Sequence, residues 1–107
     1  ETSRVIGEVW KEQQYLLDPH SAVGYAAYEA LRPEAPSVLV STASPFKFAA
    51  DVLSALGESS DEPLTALSAK CSLSVPGPLS GLEAREVRFA GVVDKAEMEA
   101  TVDGFLK

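Results

Sequence analysis

Cysteine, histidine, tryptophan and methionine each occur only once in the 107 residues. The lone Cys71 has no partner for an internal disulfide, and a chain without a disulfide framework fits a reducing compartment. It has no CxxC companion either, and reads as a buried or incidental thiol rather than a nucleophile. One histidine, His20, and one cysteine do not make the ligand spacing of a zinc site, so no metal is expected. Cations are also few. Five Lys and four Arg are scattered among sixteen Asp and Glu, for a net charge of −7. A phosphate backbone needs clustered cations, so no nucleic-acid partner is expected. No apolar run approaches the roughly 20 residues of a membrane helix, and no signal-peptide pattern opens the chain. A cytoplasmic location away from membranes is therefore expected. The seven glycines form no phosphate-cradling loop. Glu1 is not a start methionine, which reads as a processed or cut piece. What remains is ordinary: 46% apolar and 23% charged residues, enough for a small globular core.

The pattern along the chain is mainly helical. Val5, Ile6, Val9 and Trp10 form one stripe at helical spacing, which predicts a helix from about Thr2 to Gln13 with Thr2 or Ser3 as cap. Pro19 disfavours helical dihedrals at Asp18, so a break falls there. An Ala-rich helix with Gly24 inside it is expected from about Ser21 to Leu31, its small residues marking a close neighbour. Val38-Leu39-Val40 is a continuous, mostly β-branched run, and Ser37 to Thr42 reads as a strand buried on both faces. Ser44-Pro45 then looks like a cap with proline at the first position of a helix carrying Phe46, Phe48, Val52, Leu53 and Leu56 and closed by Gly57. A short helix from Pro63 to Lys70, capped from Ser60 or Asp61, precedes an irregular loop from Ser72 to Gly81. Arg85 to Ala90 alternates weakly and is read as extended. Asp94 to Glu97 has capping-box form and opens a last helix through Met98, Val102, Phe105 and Leu106.

Helix, strand, helix is the grammar of an α/β fold, here a mostly helical one with one or two strands. The strand inventory is short. A strand buried on both faces needs partners for its N–H and C=O groups, and two strands alone make no stable core. The chain therefore reads as the edge of something larger.

In open α/β sheets, ligands sit beyond the carboxyl ends of strands. That directs attention to Ser41, Thr42 and Ser44, which either cap the following helix or present hydroxyls and free N–H groups to an anion or a polar ring. His20, at a helix start, either caps and packs or orients a substrate and moves a proton. Lys47 either is solvated or contacts an anion at the same strand end.

Two blocks carry a resemblance. Tyr15-Leu16-Leu17-Asp18-Pro19-His20-Ser21-Ala22-Val23-Gly24 resembles the D-P-H-T-A-x-G stretch of threonine synthases, and Ser41-Thr42-Ala43-Ser44-Pro45-Phe46-Lys47-Phe48 resembles their S-T-A-H-P-x-K-F stretch. Order and spacing agree, and Val92-Val93-Asp94-Lys95 with the helix after it fits the end of such an enzyme. The resemblance implies that residues 1–107 are a single C-terminal segment of the cofactor-binding domain of a fold-type II pyridoxal phosphate enzyme. Such an enzyme converts O-phosphohomoserine and water to threonine and phosphate. The lysine that holds the cofactor as a Schiff base, and the Gly-rich phosphate loop, belong to the N-terminal half. None of Lys11, Lys47, Lys70, Lys95 and Lys107 stands in the family's lysine motif. The segment alone is thus expected to be inactive and to bind no cofactor.

The same resemblance implies that Thr42 presents its hydroxyl to the pyridine nitrogen, with Ser41, Ser44 and Lys47 nearby. His20 and Asp18 would pack at the mouth or orient Thr42. A small amino-acid phosphate is the implied substrate. Ser44 replaces the family's usual histidine, Ser21 a threonine, and Phe46 a smaller residue. Two other readings stand beside this one: a segment of another type II pyridoxal phosphate enzyme, and a freestanding, non-catalytic α/β binding module. If the segment is isolated, the apolar faces of the 37–42 strand are expected to drive self-association.

Overall fold

The first apolar stripe forms the helix its spacing predicts. In the computed structural model, which describes residues 1–106, α1 spans Thr2–Gln13 and buries Val5, Ile6 and Val9. Glu1 rather than Thr2 or Ser3 holds the cap position, and no side chain caps the helix. α1 stops at Gln14, left-handed at φ 55°, whose side-chain Nε2 donates to the Trp10 carbonyl at 2.9 Å beside its own backbone N–H. Leu16, Leu17 and Asp18 then run inward and are buried. α2 spans Pro19–Leu31, starting two residues before the expected Ser21 because Pro19 is preset for a first helical position. Only Ala22 of α2 is buried.

Residues 37–42 contradict the strand expectation. They join no ladder, and no strand occurs among the described residues. Val38 and Val40 are 88% and 76% exposed, where burial on both faces was expected. β-branched residues favour extended dihedrals locally, but a strand exists only where a neighbour completes its hydrogen bonds, and none lies alongside. Residues 85–90 likewise form no strand. The fold is all-helical, which corrects the α/β assignment and with it the freestanding α/β module.

The Ser44 hydroxyl accepts the Phe46 N–H at 3.3 Å and opens a single 3₁₀ turn, Pro45–Phe48. Phe48, at φ −122° and ψ 38°, separates that turn from α3, Ala49–Ala55, so the one helix expected here is two pieces. Gly57, at φ 81°, closes α3 as expected. α4 spans Pro63–Cys71; Ser60 accepts the Glu62 N–H at 3.1 Å just before it. Further 3₁₀ turns lie at Leu82–Ala84 and Lys95–Glu97, and α5 spans Met98–Phe105. The Asp94 side chain makes no cap hydrogen bond, contrary to the capping-box expectation. Lys107 lies outside the described residues.

The core joins α1 to α2 and α3, and α3 to α4. Ile6, Leu53 and Leu67 are its largest fully buried apolar side chains. Each contributes roughly 1.5–3 kcal/mol through removal from water. None of residues 72–106 is buried. The radius of gyration, 18.0 Å, exceeds the about 13 Å of a closed domain this long. The accessible surface is 8326 Å², against about 5,700 Å² for a closed monomer of 11.3 kDa. The helical core is real, but much apolar surface is left uncovered. No helix among the described residues is long and apolar enough to cross a membrane.

Candidate functional site

Proline at position 19 starts α2, and Asp18 becomes its cap. The Asp18 Oδ1 accepts the N–H groups of His20 at 2.9 Å and Ser21 at 3.3 Å. Its Oδ2 accepts the Ser21 hydroxyl and, across 23 residues of sequence, the Ser41 hydroxyl at 3.3 Å. The two serine hydroxyls are themselves 3.0 Å apart. Burial works to raise the Asp18 pKa. The Ser21 hydroxyl, the Ser21 and His20 amides and the Ser41 hydroxyl all favour the charged form and hold it below the ordinary aspartate value. A fully buried carboxylate is therefore kept ionised by neutral donors.

A cleft of about 290 Å³ opens beside this cluster. His20, Ser21 and Tyr25 of α2 line one side, and Leu39, Ser41 and Thr42 line the other. Gln13 reaches in from α1, its Nε2 donating to the Tyr25 hydroxyl at 3.3 Å. Gly24 leaves room for the second wall: a Cβ there would meet Leu39 Cδ2 at 3.8 Å, an ordinary contact. Of the small residues of α2, Ala22 is buried and Gly24 lies near Leu39, whereas Ala27 and Ala30 are exposed.

Of the residues singled out in the sequence, His20, Ser41 and Thr42 share this cleft and Asp18 stands behind it. Ser44 and Lys47 do not line it. Ser44 caps the Pro45–Phe48 turn, and Lys47 lines a second, more apolar cleft of about 450 Å³ with Phe46, Phe48, Leu64 and Leu79. Phe48 lies between the two regions. The His20 ring tilts against it at 5.0 Å, and Lys47 Nζ stands 5.7 Å from its centroid. The His20 Nδ1 is 3.4 Å from Asp18 Oδ1, with the imidazole largely in solvent. Tyr25 and Gln13 escaped notice in the sequence. Tyr25 lies four residues after Ser21, one helical turn on, and that spacing places both on one face of α2.

Ser41 and Thr42 bring hydroxyl-bearing side chains to the lining, with Leu39 and Tyr25 beside them. No Lys or Arg lines the cleft. By fold and site, this is a helical protein with a cleft that carries Ser41 and Thr42 on one wall. The family model for the C-terminal region of threonine synthase matches residues 21–103. That is most of the chain, and the chain belongs to this family. No curated protein matches it.

Proposed function

We propose that the chain is the C-terminal part of a pyridoxal phosphate-dependent threonine synthase, which converts O-phosphohomoserine and water to threonine and phosphate. The observation that carries the reading is the pairing of the family match over residues 21–103 with a cleft that has Ser41 and Thr42 on its wall. The large uncovered surface also suits a segment that works against further protein.

Pyridoxal phosphate, when bound, supplies the electron sink for the reaction. The residues present fit one edge of it. Thr42 offers a neutral hydroxyl to the pyridine nitrogen. A hydroxyl, unlike a carboxylate, does not hold that nitrogen protonated, and so tempers the sink. Ser41 would support Thr42 from the same wall, and Tyr25 and Leu39 would help keep water from the bound group. The phosphate and aldehyde ends need cations and a lysine that this cleft lacks, so the 107 residues alone do not complete the site. His20, at the open side, is placed to meet the amino-acid phosphate.

The test is phosphate release from O-phosphohomoserine by the complete protein that carries this chain. Release coupled to threonine formation is expected, with none from the 107 residues alone. Thr42→Ala should lower turnover about a hundredfold while the melting temperature holds, in line with the loss of one preorganised polar contact to the reacting system. Activity in the isolated chain, or no activity in the loaded complete protein, overturns the reading.

A further inference from the structure

We propose that Asp18 is a positioning residue for Thr42, acting through the Ser41 hydroxyl. The inference rests on the reading of Thr42 as a cofactor contact. Capping α2 occupies only one oxygen of Asp18. Oδ1 takes the His20 and Ser21 amides, and that suffices for a cap. Oδ2 is left for the side chains, and it gathers the Ser21 and Ser41 hydroxyls.

The 38–42 segment has little else to hold it. Among the described residues it makes no backbone hydrogen bond, and Val38 and Val40 point largely to solvent. Its side-chain hydrogen bonds to α2 and its cap run from Ser41 to the Asp18–Ser21 pair, and Leu39 lies close to Gly24. Thr42 is the next residue after the polar tie. A hydroxyl that must meet a ring nitrogen within a few tenths of an ångström needs its backbone fixed beforehand. Asp18 supplies that fixing from beneath, without touching the cofactor.

The experiment uses the complete protein with Ser41→Ala, Asp18→Asn, their double variant and Thr42→Ala. The asparagine carbonyl keeps the cap at Oδ1. Its amide NH₂ then replaces Oδ2 and accepts neither the Ser21 nor the Ser41 hydroxyl, so any remaining bond must run the other way, from the amide to a serine oxygen. Three readouts are taken: pyridoxal phosphate affinity by fluorescence titration, methyl relaxation of labelled Thr42 without cofactor, and the melting temperature. Ser41→Ala and Asp18→Asn should each weaken affinity about tenfold and increase Thr42 methyl motion. The double variant should be no worse than either alone, as expected for two residues in one linkage. The melting temperature of Ser41→Ala should stay at the wild-type value. If Thr42→Ala weakens binding while Ser41→Ala and Asp18→Asn leave affinity and methyl motion unchanged, Asp18 is a helix cap only and the proposal fails alone. Additive losses in the double variant overturn it too. If Thr42→Ala leaves affinity unchanged, or the complete protein binds no pyridoxal phosphate, the cofactor reading fails and the proposal with it.

Discussion

A Cβ placed on Gly7 of α1 would stand 3.0 Å from the carbonyl oxygen of Ala55 at the end of α3. The obstacle is backbone, which yields less readily than a flexible side chain. Ordinarily Gly→Ala inside a helix stabilises by about 0.5–1 kcal/mol. At Gly7 the crowding opposes that gain, because overpacking costs roughly 1–3 kcal/mol. Gly7→Ala should therefore lower the melting temperature. Gly104→Ala in α5, which meets nothing within 4 Å, should instead raise helix content and leave core unfolding unchanged. Thermal denaturation and circular dichroism of the two variants check the contrast. A more stable Gly7→Ala would show that α1 and α3 separate easily.

The Asp18 carboxyl gives a pH dependence of definite sign. Its folded-state pKa lies below the unfolded value, so the unfolded chain binds this proton more tightly. The stability it contributes is complete above the ordinary aspartate pKa of about 3.9, and is lost as pH falls through the lower folded value. Wild-type and Asp18→Asn melting temperatures should converge on acidification through that window. A gap that stays constant between about pH 2 and 6 would remove the charged hydrogen bonds as the source.

That carboxylate also marks where the sequence stops being legible. Pro19 announces a break at Asp18, because proline acts on the residue before it, but the cap that Asp18 supplies was not read. The bond from Asp18 to Ser41 joins positions 23 apart, and no local pattern encodes it. α1 was readable because Val5, Ile6 and Val9 repeat at the helical period and all three are buried. Gly57 was readable because a left-handed residue after a helix favours glycine. The Val38-Leu39-Val40 run misled for the converse reason. Its composition reports an extended backbone, whereas strand pairing depends on neighbours the segment does not have. Tyr25 was hidden because an aromatic residue on an Ala-rich helix looks like packing until the opposite wall is in place.

Cys71 should react slowly with thiol reagents in the native state. Burial in the α3–α4 core raises its pKa, and Glu58 adds to this against the opposing pull of Lys70. Little thiolate is then present at neutral pH, and access is poor. Ellman's reagent should label it well below the rate of the urea-unfolded chain. Labelling at the unfolded rate without denaturant would show that α4 opens freely. Leu67→Ala, one turn before Cys71, removes a fully buried side chain and should cost about 2–5 kcal/mol and accelerate labelling.

The isolated 107 residues should self-associate through the uncovered 37–42 segment. Val38 and Val40 present apolar side chains and unpaired backbone groups together, which is the combination that seeks a partner. The C-terminal stretch exposes Val87, Phe89, Phe105 and Leu106 as well, so the two sources need separating. A chain ending at Ala84 keeps every buried residue and also Val75 and Leu79, which pack on the core. It should melt within a few degrees of the longer chain and still associate. Val38→Lys with Val40→Lys in that shortened chain should shift sedimentation toward monomer and reduce hydrophobic-dye binding, with the melting temperature little changed because both side chains already face solvent. Strictly monomeric sedimentation of the unmodified chain would show that the segment is satisfied by water. Association lost on truncation alone would place the contact in the C-terminal stretch instead.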